Sequence, residues 1–286
     1  MATLHSPTLR RRRLSAELKR ARAGAGLTTT QVAKALKWAA GKLSQIENAE
    51  TQTVKPGDLD KLMDLYQVTA PDKREALHAL AKDAKVRGWW SKYREVFGPQ
   101  SLPDFESEAS TIRTFESSVI PGLLQVPEYT TALLQGGRYT EPSALQRRVD
   151  ARMERRQILT RINPARFRSV LDEAALRRVI GGTNVMAEQL RHLLYMAKLP
   201  NVDVQVLPFS AGSHAALVAP FVILDFPDPR DLPIVFIETA GDGLFLEEAE
   251  EVEQHTVTFG DVQGSAMSTA QSARFIAEVL QSLESE

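Results

Sequence analysis

Apolar residues in the first part of the chain recur at helical spacing, in short blocks separated by turn signals. Leu14, Leu18 and Ala21 share one face of a first helix that ends near Gly24 and Gly26. Val32, Ala33 and Leu36 mark a second. Thr28 is placed to cap it, and Gln31 three residues later completes a capping-box pattern. The chain turns at Lys37 and Trp38, and the spacing predicts a third helix from about Ala39 to Glu47, with Leu43 and Ile46 inward. That arrangement leaves Ala40, Gly41, Lys42 and Gln45 on or near its outer face. Pro56 suits the first turn of a fourth helix carrying Leu59, Leu62, Met63 and Tyr66, and a fifth follows Pro71 with Leu77, Leu80 and Ala84.

The pattern changes after residue 85. Trp89, Trp90, Tyr93 and Phe97 crowd a junction that Gly98-Pro99 and Pro103 interrupt, and aromatics this dense between domains anchor packing. Helical spacing returns at Pro127–Leu134, Pro142–Ile162, Glu173–Ile180 and Asn184–Leu199, and again near Glu248–Val262 and Ser268–Leu283. Between them lie strand-like runs at Phe167–Leu171, Val202–Phe209, Pro220–Phe226 and Pro233–Thr239. The last three are rich in Val, Ile and Phe and separated by turn residues, which predicts an antiparallel set. The expected organisation is a five-helix domain over residues 1–85, an aromatic junction over 86–103, and an α+β domain with a small, largely antiparallel sheet over 104–286.

Charge separates along the same division. Residues 1–95 carry 19 Lys and Arg against 10 Asp and Glu, whereas the remainder carries 16 against 26, so a net charge of −1 hides a basic front and an acidic back. A basic end of this kind fits a polyanion partner. A short helix with small and polar outward residues, braced by the helix before it, has the shape that enters a DNA major groove. The alternative is a plain helical hairpin, and the charge segregation argues against it. The run Leu9 to Arg13 reads either as a solvated tail or as an arm along the phosphate backbone.

The segment Leu27–Asn48 resembles the helix-turn-helix of the Xre family, relatives of the lambdoid phage repressors. The matching positions are Leu27, Thr28, Thr29, Val32, Ala33, Leu36 and Lys37, then Leu43, Ser44, Ile46, Glu47, Asn48 and Ala49. Lys37 stands where that family usually has a turn glycine, and Ala39, Ala40 and Gly41 replace the polar residues that often open the recognition helix. The resemblance implies a lambdoid-repressor-like fold and a homodimer on a two-fold operator in double-stranded DNA. It also implies an ion pair between Arg22 and Glu47 that locks two helices. On this reading Gln45 faces adenine, Lys42 faces guanine or a phosphate, and Ala40 meets a thymine methyl. Thr29, Thr30, Gly41, Asn48 and Lys55 complete the DNA-facing set.

A second resemblance rests on Ser118-Val-Ile-Pro-Gly-Leu-Leu-Gln125, Pro127-Glu-Tyr129, Arg152-x-x-Arg155-Arg-Gln157, Leu171-Asp-Glu-Ala-Ala-Leu176 and Gln205-Val-Leu-Pro208. Together these strings resemble the C-terminal domain of actinobacterial Scr1-type or WhiJ-like regulators, some of them antitoxin-like. The resemblance implies a transcriptional regulator, expected to be a repressor, whose second domain binds a small BldB-like protein. A small-molecule sensor is the other reading, and an enzyme a remote third.

The chemistry available to an enzyme is thin. There is no cysteine, and the five histidines form no metal-spaced cluster. Glu188 and His192 fall at i, i+4 without an evident third ligand, and Ser213-His214 lacks a nucleophile-elbow pattern. Gly181-Gly182 and Gly241-Asp-Gly243 read as turns. Asp225, Asp228, Asp231 and Asp242 lack calcium-loop spacing. The expectation is therefore no catalytic residue, no cofactor and no metal. Glu247, Glu248, Glu250, Glu251 and Glu253 form an acidic run, read either as a solvated helix start or as a docking face for a basic partner. No apolar run approaches the roughly 20 residues that span a bilayer, and the expected location is cytoplasmic.

Overall fold

Ser6 begins the first helix. Its hydroxyl accepts from the Leu9 backbone N–H, and Pro7 occupies the first turn, where a missing N–H costs nothing. The computed structural model describes residues 6–39, 41–85, 88–98, 101–137, 139, 141–239 and 243–285. The chain divides into two compact units: Met1–Lys92 with Phe97–Glu108, and Tyr93–Val96 with Ala109–Glu286.

The first unit packs α1 (Pro7–Gly24), α2 (Thr29–Leu36), α3 (Lys42–Glu47), α4 (Pro56–Leu65) and α5 (Pro71–Asp83) around one core. Leu18, Val32, Leu43, Ile46, Leu59, Leu62, Met63 and Leu77 are buried together, as the spacing predicts. Two boundaries differ from the sequence reading. The first helix starts at Pro7 and takes in the run Leu9 to Arg13, which is therefore not a solvated tail. Leu9 is buried, and Arg10 pairs with Glu108. The third helix starts at Lys42 rather than Ala39, because Gly41 precedes it at φ 114, a conformation that side-chain-bearing residues rarely adopt.

Residues beyond the aromatic junction return to this unit. After α6 (Arg94–Phe97), the short helix α7 (Leu102–Glu106) carries Asp104 and Phe105. The Ser6 and Thr8 hydroxyls donate to the two oxygens of Asp104 at 2.7 and 2.5 Å, and the Ser6 backbone N–H donates to Glu108 at 2.9 Å. The Arg12 guanidinium lies 4.5 Å from the Phe105 ring centroid. These contacts place residues 104–108 with the first unit, whereas the sequence reading began the second domain at 104. Trp89 meets Trp90 and Phe97 edge-on, with centroids 6.0 and 5.8 Å apart.

The second unit is built on a mixed sheet. Its six described strands are β1 (Thr111–Glu116), β2 (Arg166–Asp172), β3 (Val202–Leu207), β4 (Phe221–Asp225), β5 (Ile234–Glu238) and β6 (Gly243–Leu246), in the order β3-β2-β1-β4-β5-β6. β1, β2 and β3 are mutually parallel, and the β1–β4, β4–β5 and β5–β6 pairs are antiparallel. The expected pairing of Val202–Phe209 with the two later strands is corrected, because β3 lies at the opposite edge. The reason is connection length. α8 (Pro127–Gly136) and α9 (Pro142–Arg155) lie between β1 and β2, and α10 (Glu173–Arg177) and α11 (Thr183–Met196) between β2 and β3. Such crossovers carry the chain back to start a parallel strand.

α12 (Ala249–Ser265) buries Val252, Phe259 and Val262 against Phe115, Val170, Phe221 and Val235 on one sheet face. α13 (Thr269–Ser285) protects the β3 edge. The Met267 backbone N–H donates to the Val206 carbonyl at 2.9 Å, and the Val206 N–H donates to the Ser272 hydroxyl at 2.9 Å. An edge covered in this way offers no template for pairing with another chain. Among the described residues, no helix is long and apolar enough to cross a membrane.

The Asp104 contacts yield a test. Burial raises this carboxyl above its ordinary range, and the two hydroxyl bonds oppose the shift. Asp104→Ala leaves two buried hydroxyls without their acceptor and is expected to destabilise the first unit by about 1–3 kcal/mol. Denaturation followed by tryptophan fluorescence measures this; an unchanged midpoint would show that Asp104 does not hold the start of α1.

Candidate nucleic-acid interface

The helix-turn-helix region is assembled from local signals. Thr28 and Gln31 form a complete capping box: the Gln31 backbone N–H donates to the Thr28 hydroxyl at 3.2 Å, and the Thr28 N–H donates to the Gln31 side-chain oxygen at 2.8 Å. Lys37 ends α2 in the left-handed conformation, φ 53 and ψ 41, at the turn position noted from the sequence. The chain then reaches Gly41 and turns into α3.

One residue ties these pieces together. Arg22 donates through Nε to Glu47 Oε1 at 2.7 Å and through Nη2 to Oε2 at 3.0 Å, while its Nη1 donates to the Leu27 carbonyl at 2.6 Å. The hydrogen bonds to Glu47 hold the guanidinium above its ordinary pKa, with burial opposing. The Ser15 hydroxyl adds a donor to the Ile46 carbonyl at 2.5 Å. α1 therefore grips the C-terminal turn of α3 through the side chains of Arg22 and Ser15.

With Leu43, Ile46 and Glu47 buried, Ser44, Gln45 and Asn48 are the exposed side chains of this turn. The Asn48 amide lies 3.4 Å from the Ser44 hydroxyl, one helical turn back. Ser44 is a polar outward residue that the sequence reading left out; its i, i+4 relation to Asn48 was the available signal. Thr29 and Thr30 are exposed at the start of α2, and Lys55 is exposed just before α4. Gly41 is exposed but precedes the helix, and Ala40 lies outside the described residues. Lys42 is half-buried at the start of α3. Its ammonium donates to Asp58 at 2.8 Å and sits 4.0 Å from the Trp38 ring centroid, so it braces α3 against α4.

The second unit gathers its motif strings around buried polar groups. Gln125 donates to the Ile120 carbonyl at 2.7 Å and accepts from Thr130 at 3.0 Å and from Arg152 Nη1 at 2.9 Å. Tyr129 is fully buried, and its hydroxyl accepts from the Ile120 N–H at 3.1 Å. A Cβ at Gly122 would lie 3.3 Å from Arg155 Nη1 and 3.7 Å from Arg152 Nε, so any larger residue there would crowd the Arg155 guanidinium. Near them sits Glu116, the last residue of β1. Burial and the neighbouring Glu238 push its carboxyl up to about 7, against Thr114, Arg155 and Arg152.

Residues 13–77 match a family model described as a helix-turn-helix domain, and residues 99–278 match one described as a domain of unknown function (DUF5753). The second match covers more than half of the sequence. The chain belongs to the DUF5753 family. No curated protein and no solved structure matches it.

Within this DUF5753 protein, the candidate metal and catalytic groups are engaged elsewhere. His192 Nε2 lies 2.8 Å from Arg156 Nη2, and Glu188 pairs with Arg191 at 3.2 Å. Asp225 holds Arg113 through two bonds of 3.0 and 2.8 Å, and Asp228 holds Arg230. Asp242 lies outside the described residues. His214 stands 3.8 Å from Asp172 and edge-on to Phe115. Among the described residues, no three His, Cys, Asp or Glu side chains gather to hold a metal ion.

The raised Glu116 carboxyl sets a pH dependence. The folded chain holds this proton more tightly than the unfolded chain, so the associated stability is full below about 4.5 and is lost as pH rises through about 7. Glu116→Gln is expected to equal the parent near the lower limit and to exceed it by about 1–3 kcal/mol above pH 7. Denaturation across this range checks the sign; a variant less stable above pH 7 would contradict it.

Proposed function

We propose that this protein is a sequence-specific DNA-binding transcriptional regulator that sets α3 into the major groove. The observation that carries this reading is the exposed row Ser44, Gln45 and Asn48 on a short helix held by Arg22. The helix-turn-helix match over residues 13–77 and the basic balance of the N-terminal part support it. Gln45 offers the bidentate amide that adenine accepts, and Ser44 and Asn48 extend the polar row. Thr29, Thr30 and Lys55 are positioned for phosphates, which orient a protein on the duplex without reading sequence. Lys42 serves the interface indirectly, through its hold on Asp58.

The regulator acts as a homodimer, since one such domain makes few base contacts and paired half-sites multiply its affinity. The DUF5753 domain supplies dimerisation and docks a small BldB-like partner, in an antitoxin-like pair, that modulates DNA binding. Repression is the expected outcome, and the site of action is the cytoplasm. The acidic residues Glu248, Glu250, Glu251 and Glu253 at the start of α12 are the docking face assigned to a basic partner.

Binding sites selected from a random duplex pool test the reading. A symmetric site with half-sites about one helical turn apart is expected. Gln45→Ala should then lose about 1–3 kcal/mol on the selected site and far less on unrelated DNA. Equal losses on both, or failure to enrich any site, would overturn the assignment.

A further inference from the structure

Positive charge in the second part of the chain is concentrated. Of the 16 Lys and Arg residues after position 95, eight lie between 147 and 168, although acids outnumber bases over the part as a whole. Arg147 pairs with Glu95 at 2.9 Å, and Arg148 lies 4.1 Å from the Tyr139 ring centroid. Arg152 donates to Gln125, Arg168 stands 3.8 Å from Asp203, and Arg155 and Arg161 make contacts of their own. Arg156, directly after α9, is held differently. Its Nη2 lies 2.8 Å from His192 Nε2, and its Nη1 lies 3.2 Å from Met153 Sδ, a weak acceptor.

A guanidinium cannot accept a hydrogen bond, so His192 accepts through Nε2 and carries its own proton on Nδ1. Burial and the adjacent Arg156 hold this imidazole below its ordinary pKa, with Glu188 opposing, so both partners of Arg156 are neutral. Among the described residues, no carboxylate pairs with Arg156. Glu188, one turn from His192 along α11, is taken by Arg191 at 3.2 Å, and Arg191 also binds Glu284. Arg156 is half-buried, where a cation without an anion is costly to keep. Tyr195 stands beside the pair. It stacks on His192 with centroids 6.4 Å apart and 28° between the planes, and it is 63% exposed.

We infer that the seam between the end of α9 and α11 docks an acidic segment of a protein partner, with a carboxylate on Arg156 and an adjoining apolar side chain on Tyr195. His192 and Met153 each occupy one N–H of a terminal guanidinium nitrogen, which leaves others for the two carboxylate oxygens. Arginine and tyrosine are also the side chains that dominate the tightest points of protein interfaces. A nucleic-acid backbone suits the seam less well, because Arg156 offers one seat to a repeating charge and Glu188 lies one turn from its partner His192. A free small acid would be enclosed too little by a ring this exposed. The inference concerns the second unit alone. It stands whether or not α3 reads DNA or the acidic start of α12 takes a basic partner.

Selection from a random peptide library displayed on phage, with the full-length protein as target, tests it. The library is first depleted on Arg156→Gln, which keeps a neutral amide donor, and then selected on the parent chain. Surviving peptides should carry Asp or Glu beside an aromatic or aliphatic residue. A synthetic copy should bind the parent at least about tenfold more tightly than Arg156→Gln, as loss of a charged hydrogen bond requires. It should also bind Tyr195→Ala more weakly than the parent. Both variants should melt with the parent; if Arg156→Gln melts lower, Tyr195→Ala, at an exposed position, takes its place in the depletion. No surviving peptide, or survivors without an acid, would overturn the inference. So would a survivor that binds Tyr195→Ala as tightly as the parent, or one that random-sequence duplex DNA displaces, which would give the seat to nucleic acid.

Discussion

The first unit depends on the bidentate contact between Arg22 and Glu47. Glu47 closes a six-residue helix at the end where unpaired carbonyls already concentrate negative charge, so its carboxylate is unfavourable there without a cation. It is also buried, which makes an unpaired charge more costly still. Arg22 resolves both problems and uses its remaining nitrogen to fix the Leu27 carbonyl before α2. A helix this short has little stability of its own. Its orientation is therefore the orientation that α1 imposes. Removing one partner of such a pair costs about 3–5 kcal/mol when burial is complete, with the lower end apt here because Arg22 keeps some exposure.

The second unit has a different governing constraint, the central position of β1. This strand pairs in parallel with β2 and antiparallel with β4, so it joins the crossover half of the sheet to the hairpin half. The Ser118–Gln125 string follows it directly and packs into the polar network around Gln125, with Tyr129 and Arg152. The strings Ser118–Gln125, Pro127–Tyr129 and Arg152–Gln157 thus converge here on backbone positions that need specific partners, above all the Ile120 N–H and carbonyl.

The helices were legible because their apolar spacing is regular and their caps are chemical: Thr28 with Gln31, Pro56, and Pro71. The strands were less so. β1 reads Thr-Ile-Arg-Thr-Phe-Glu, with polar residues at four of six positions, and its strand character comes from neighbours on both sides. β6 is a four-residue edge strand containing a glycine, too short to show a period. The side of the sheet taken by β3 was decided by the helical crossovers, which local pattern does not report. On the exposed face of α3, the outward placement of Gln45 and Asn48 is visible from spacing. The hold of Lys42 on Asp58 is not legible in the sequence because that partner lies on another helix, and the start of α3 is not legible because the φ of Gly41 overrides helix propensity.

The face of α3 fixed by Arg22 is the surface we propose to meet DNA. Amide hydrogen exchange with and without a duplex selected for binding tests it most directly. New protection is expected in the segments around Thr29–Thr30, Gly41–Asn48 and Lys55, with the amides of the sheet unchanged. Protection confined to the second unit, with α3 exchanging as in the free protein, would contradict it.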